Sequence, residues 1–249
     1  MSKKYPGGFI SKNPVAPAGP YETSAASGVW TLSQAAYWQK QGLWPVAGSV
    51  APPTVIGQAY GGGFYAGQIG VGGVATHYLI VGPVASAQST LAYKNAQTAT
   101  TGADSVIDGP QNTADMVAGG SSTVYPAAHF CNDLALGGFS DWYMPSNNEL
   151  EVCYYNLKPT TQNNTTDVGI NTNAVPSRGS TYTTGTPAQT SATVFQTGNA
   201  EAFTADQYAA STETANALYS WLIVFTSGNT SYSPKNNSRL TRAVRRVAV

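Results

Sequence analysis

Charge is what this sequence lacks most. Charged residues make up 10% of the 249, against roughly 25% in an ordinary domain. The 12 basic and 12 acidic residues cancel, so no overall attraction to nucleic acid or to an anionic bilayer follows. Nucleic acid is therefore not expected as a partner. Cysteine is scarce too: Cys131 and Cys153 are the only two, and no C-x-x-C spacing occurs, so no metal or cofactor is expected. With only His77 and His129, there is no H-x-x-x-H pair, and neither a G-x-S-x-G elbow nor a Walker loop is present. No apolar run approaches the ~20 residues that span a bilayer, which excludes helical membrane insertion. MSKKYPGGF at the start is too polar and glycine-rich for a signal peptide. The expectation is a protein made in the cytosol that stays there or leaves inside an assembled particle. No repeat of fixed period is found.

Small and polar residues fill the place of charge. Hydrophobic residues still reach 42%, with 15 Tyr, so the chain is not disordered. It reads as loop-rich and globular, with a polar, uncharged surface. Pro6, Gly7, Gly8, Pro14, Pro17, Gly19 and Pro20 forbid continuous helix or central strand before residue 30. Thr31 and Gln34 then suit a capping box for LSQAAYWQKQ, which Gly42 ends. Residues 1–52 are read as an extended anchoring arm with one short helix, and 53–249 as the domain. Within it, FYAGQI and VATHYLIV around a glycine turn predict a hairpin, and Lys94 to Gly120 is read as loop. A helix is predicted from about Pro126 to Leu136, and a second is capped by Ser146 and Glu149 and stopped by Pro159. The stripe Leu150, Cys153, Leu157 is expected to pack against Phe130, Cys131 and Leu134. Thr160 to Thr190 is a long Thr/Asn loop. LYSWLIVFT and TSYSP flank a Gly228–Asn229 turn, and LTRAVRRVAV follows as one final strand whose polar face carries arginines.

Catalytic patterns are thin. Cys131 and His129 stand two apart on a predicted helix and do not share a face. Each cysteine, in AAHFCNDLAL or ELEVCYYNL, is either a buried thiol or half of a bridge between packed helices. Asp104, Asp108 and Asp115 lack the density of a calcium loop and are read as loop-ordering. Glu149 is taken by its capping role. Aromatic residues carry the binding signal. Tyr182, Tyr208, Tyr219, Trp221 and Tyr232 sit among Thr, Ser and Asn, the composition of adaptable recognition surfaces. Trp221 within SWLIVF is read as core. Tyr182 and Tyr232, with Asn229 and Asn236 on nearby turns, are the candidate ligand-binding residues.

Three blocks carry a family resemblance: HYLIVGPVA, HFCNDLALGGFSDWYMPSNNELEVCYYNLKP, and YAASTETANALYSWLIVFTSGNTSYSPKNNSRLTRAVRRV. Together they resemble the Lcl C-terminal family, a branch of the C-type-lectin-like folds found in phage structural proteins and bacterial adhesins. One departure is that Ala209 and Ala210 stand where the family's closing pattern has Trp-Ser, while Ser211, Thr212 and Glu213 remain. The resemblance implies an α+β, C-type-lectin-like fold: two helices beside small twisted antiparallel sheets with long loops, after an extended arm. It implies a non-enzymatic phage virion protein, a fibre or tip adhesin or a capsid or tail decoration protein. Its partners would be other virion proteins through the arm, sister subunits in a homo-oligomer (trimer favoured), and a host surface glycan or protein. A bacterial surface lectin is the alternative. A formylglycine-generating-type enzyme is a third, opposed by the helical placement of both cysteines.

Overall fold

The computed structural model describes residues 15–17, 19, 21, 26, 29–45 and 50–249. The chain divides into two compact units, Met1–Pro52 and Pro53–Val249. In the first unit, α1 (Leu32–Lys40) starts at the expected capping box: Gln34 N–H donates to Thr31 Oγ1, and Thr31 N–H donates to the Gln34 side chain. None of its side chains is buried, and Leu32 and Tyr37 are exposed. Beside it, Trp30 and Trp44 meet edge to face at 5.4 Å. Most of the expected extended arm lies outside the described residues.

The second unit is mixed α/β and is built on two mainly antiparallel sheets. One contains β1 (Ala59–Tyr60), β2 (Gly63–Val71), β3 (Val74–Val81) and β10 (Val244–Ala248), in that order, with β5 (Ala174–Val175) also on β2. The hairpin of β2 and β3 turns at Gly72 and Gly73, both at positive φ, as the glycine run predicts. The other sheet runs β4 (Gln88–Ala92), β9 (Ser238–Arg242), β6 (Gln207–Glu213), β7 (Tyr219–Val224), β8 (Thr230–Pro234). Its β7–β8 turn holds Gly228 at φ +71°. A side chain there would collide with the Tyr154 ring, so both conformation and space require glycine.

The remaining helices are α2 (Val84–Ala87), α3 (Gly109–Gly119), α4 (Pro126–Asn132) and α5 (Asn147–Leu157). α5 begins where the sequence places it. The Ser146 N–H and hydroxyl both donate to Glu149, at 2.9 and 2.8 Å. Leu150, Cys153, Tyr154 and Leu157 are buried, as the stripe predicts.

Four expectations are corrected. First, α3 occupies part of the stretch read as loop. Asp108 caps it by accepting from Gln111 N–H. Its buried face is Gly109, Asn112, Thr113 and Met116, mostly polar, so no apolar periodicity announces it. Asn112 is satisfied by Ser105 and Ser211, and Thr113 by Gly109 and Met144.

Second, the α4 and α5 stripes do not form one helix–helix seam. α5 packs on β2, β6 and β7, while α4 packs on α3 and β4. They feed separate hydrophobic clusters, one around Leu150, Cys153, Phe195, Phe203 and Phe225, the other around Met116, Cys131, Trp142 and Met144. α4 is also shorter than expected, ending at Asn132, and its buried residues are Ala127, Ala128 and Cys131.

Third, the two thiols are both free and buried, in different clusters, so no bridge joins Cys131 to Cys153.

Fourth, the closing segment is two strands in two sheets. β9 pairs with β4 and β10 pairs with β3, with Ala243 between them. The arginine side of this segment is largely internal: Arg242 and Arg245 are buried.

Candidate functional site

The few charged side chains are mostly used inside the domain. Arg242 donates from Nε to Gly82 O at 2.8 Å and from Nη2 to Glu201 at 2.8 Å, with its guanidinium 4.5 Å from the Phe203 ring. Burial lowers its pKa to about 10, partly offset by Tyr208 and Glu201. Arg245 forms a two-toothed pair with Asp141, at 2.7 and 2.8 Å. Lys235, fully buried, donates to Glu213 and to Thr98 O. Lys158 donates to Gln162 O, Asn164 Oδ1 and Pro187 O, and burial lowers its pKa. Glu149 accepts from Gly109 N, Ser146, Tyr143 Oη and Arg246 Nε. Each of these groups is consumed by structural bonds, the condition under which a buried charge is tolerated. Among the described residues, no group of three or more His, Cys, Asp or Glu is placed to hold a metal. Among them, too, no helix is long and apolar enough to cross a membrane.

Ser211, Thr212 and Glu213, retained from the closing pattern, are likewise internal ties. Ser211 N–H donates to Pro145 O, and its carbonyl accepts from Tyr93 Oη. Thr212 Oγ1 donates to Ser105 O and accepts from Asn147 N–H at the start of α5. Glu213 accepts from Thr100 N–H and Lys235. This short run joins β6 to the α3 approach, to α5 and to β8, so its role is in the fold.

A surface site lies at the outer end of β7 and β8. Strand alternation puts Tyr219, Trp221 and Ile223 on one face of β7. Ile223 lies inside the core, but the core ends before the other two: Trp221 is half-buried against it and Tyr219 is half-buried beyond. On β8, Tyr232 stands directly opposite Trp221 and is 59% exposed. Tyr232 meets Tyr219 at 5.1 Å and 69°, and Trp221 at 6.5 Å and 84°. The β6–β7 loop supplies a polar wall. Thr214 N–H donates to Tyr219 O, and Tyr219 N–H donates to Asn216 O. Thr214 Oγ1 donates to Asn216 O, and Asn216 Oδ1 accepts from Leu218 N–H. The result is a cleft of about 440 Å³ lined by Thr214, Ala215, Asn216, Tyr219, Trp221 and Tyr232. No charged residue lines it.

Of the sequence-predicted ligand residues, this cleft holds only Tyr232. Tyr182 is corrected from surface to interior: it is buried and donates its hydroxyl to Glu151, and burial and the Glu151 charge push its pKa up. It anchors the Thr160–Thr190 segment, which Asn164, Asn171 and Asn173 also pin from buried positions. That segment is therefore held by buried amides where the sequence shows few apolar anchors. Asn229 sits at the β7–β8 turn and Asn236 just after β8, on either side of Tyr232 along the strand and outside the cleft lining. Asn236 accepts from Gln97 at 3.0 Å. Tyr219 and Trp221 complete the cleft. Their i, i+2 spacing opposite Tyr232 across a Gly-Asn turn was the signal, masked for Trp221 by its apolar neighbours.

Both thiols are deeply buried, and burial raises their pKa well above the ordinary range. Comparison with known families matches residues 93–245 to the Lcl C-terminal domain, more than half of the chain. No curated protein and no solved structure matches.

Proposed function

The chain belongs to the Lcl C-terminal domain family, and from that premise we propose that it is a non-enzymatic structural protein of a phage particle. In this reading residues 53–249 form a C-type-lectin-like domain displayed outward, as a fibre or tip adhesin or as a decoration protein. Residues 1–52 attach it to other virion proteins and to sister subunits of a homo-oligomer, with a trimer favoured.

The observation that carries the reading is the cleft of Tyr219, Trp221 and Tyr232 on a domain most of whose charged side chains are at least partly buried. A protein that spends its ionisable groups on internal pairs and exposes aromatic rings beside amides and hydroxyls is built to bind neutral surfaces. Attachment through the N-terminal unit is supported by α1, none of whose side chains is buried and whose Leu32 is 91% exposed. A folded helix with exposed Leu and Tyr gains burial from a neighbouring subunit. The buried, separate thiols speak against the formylglycine-generating alternative, which needs an accessible cysteine pair.

Mass spectrometry of purified particles from a culture producing this chain tests the proposal. Detection in fixed ratio to the major particle proteins is the expected result. Recovery only from the bacterial cell surface or medium would favour the bacterial lectin reading.

A further inference from the structure

We infer that the β7–β8 cleft is a docking site for an uncharged proline-rich segment of a partner protein, bound as a polyproline II helix. This goes beyond the display reading above by naming the chemistry of a partner, and it stands on the cleft alone.

Three features converge. The first is which hydrogen-bonding groups the cleft leaves open. The Trp221 Nε1–H is a donor only. Asn216 uses its Oδ1 on Leu218 N–H, which fixes the amide and leaves the Nδ2 donors free. Among the described residues, these groups and the Tyr219 and Tyr232 hydroxyls have no hydrogen-bond partner. The cleft is therefore richer in open donors than in acceptors, and the matching ligand offers carbonyls with few N–H groups. A helix uses most of its carbonyls internally, and an ordinary extended strand brings an N–H for every C=O. A polyproline II helix makes no internal hydrogen bonds, and each proline keeps its carbonyl while lacking an N–H.

The second is shape. The rings of Trp221 and Tyr219 each meet Tyr232 edge to face, so neighbouring walls of the cleft present flat aromatic faces at steep angles. Tyr219 and Trp221 stand two residues apart on β7, a span of roughly 7 Å. About two residues of polyproline II, at ~3.1 Å each, cover that length. The pyrrolidine ring is apolar and rigid, so it buries against the aromatic faces with almost no loss of side-chain entropy. Aromatic-lined grooves read proline-rich segments in this way. The volume of about 440 Å³ limits the buried part of the ligand to a few residues.

The third is charge complementarity. No charged residue lines the cleft, and the nearest carboxylate in sequence, Glu213, is occupied by Lys235 and Thr100 N–H. A basic flank on the ligand would lose hydration there with nothing to compensate it. A run of prolines and small neutral residues incurs no such cost.

The chain itself carries prolines three apart at Pro14, Pro17 and Pro20. Pro17 is already buried, which points to a separate protein as the source of the ligand. β8 is also the edge strand of its sheet, and an edge beside exposed aromatics can pair with a second copy of the chain. Strand pairing uses the backbone edge and leaves the side-chain donors of the cleft unsatisfied, so the proline-rich ligand is preferred.

The test uses the full chain, labelled with nitrogen-15 and followed by proton–nitrogen correlation NMR. Three probes are titrated: acetyl-octaproline-amide, the same peptide flanked by arginines, and a Gly-Ser peptide of equal length. Octaproline should bind saturably. The Trp221 indole N–H signal, identified by its loss in Trp221→Phe, should move downfield as it gains a carbonyl acceptor. Affinity should be the same at low and high salt, and the arginine-flanked peptide should bind no tighter. The exposed Tyr232→Ala should weaken octaproline binding at least tenfold with unchanged thermal stability. Asn216→Asp keeps the bond to Leu218 and turns the free donors into an acceptor, so it should weaken binding several-fold.

Failure of octaproline to bind at millimolar concentration, equal binding of the Gly-Ser peptide, or binding unaffected by both substitutions would overturn the assignment. So would a preference for the arginine-flanked peptide that high salt abolishes. Dissociation of an oligomer by Tyr232→Ala, read by analytical ultracentrifugation, without octaproline binding would make the cleft a subunit interface. If octaproline binds but the chain is absent from particles, the display reading fails and the site stands. If the chain is on particles and octaproline does not bind, the reverse holds.

Discussion

Arg246 Nε lies 2.8 Å from Glu149 Oε1, across 97 residues of sequence. The pair fastens the start of α5 to the last strand. Glu149, wholly buried, also takes the N–H groups of Ser146 and Gly109. One carboxylate therefore caps α5, contacts the start of α3 and anchors β10. Glu149→Ala leaves the Arg246 guanidinium and these N–H groups without their acceptor. The expected loss is about 3–5 kcal/mol of folding stability, measured by urea denaturation. Glu149→Gln, which keeps an acceptor oxygen, should cost less. Equal, small effects from both would show the pair to be dispensable.

Glu151 gives the fold a pH dependence of definite sign. Burial raises its pKa from 4.5, against the opposing pull of Arg178 and hydrogen bonds from Tyr182 and Asn171. A carboxyl raised in the folded state holds its proton more tightly there than in the unfolded chain. Its contribution is therefore fully present below the unfolded value and is lost as pH rises through the raised folded value. Glu151→Gln, which cannot ionise, lacks this dependence. Stability of the native chain relative to Glu151→Gln should fall as pH rises through and above the ordinary carboxylate range, read from urea midpoints. A difference that grows with pH would mean that Arg178 outweighs burial.

Cys131 and Cys153 should behave as two inert thiols. Burial both shields them and disfavours the thiolate that reacts. Alkylation of the native protein should leave its mass unchanged, and alkylation in denaturant without reductant should add two groups. A single or no addition in denaturant would reveal a bridge or prior oxidation.

The second unit should fold without the first. Among the described residues, both hydrophobic clusters draw on positions after Pro53. A chain beginning at Pro53 should keep a cooperative thermal transition within a few degrees of the full chain, and should fail to join particles. Loss of cooperative folding would assign the first unit a part in the core, and intact incorporation would move attachment to the second.

Sequence alone determined the features whose causes lie within one turn of helix or one hairpin. The Thr31–Gln34 and Ser146–Glu149 caps, the Gly72–Gly73 and Gly228–Asn229 turns, and the buried stripe of α5 all follow from residues no more than four apart. The matched family is likewise carried by local blocks. Tertiary structure decided which side of each pattern is covered. Alternation in LTRAVRRV shows which residues share a face, but Arg242 turns inward because Glu201, Gly82 and Phe203 meet it there. Arg245 does so because Asp141, 104 residues away, meets it. Tyr182 is drawn in by Glu151, while Trp221, in a more apolar run, is left half out because the core beneath β7 ends at Ile223. α3 has no apolar periodicity because its buried face includes Asn112 and Thr113, whose partners come largely from other elements. Burial is a property of what arrives from elsewhere in the chain, and a local pattern of hydrophobicity cannot encode it.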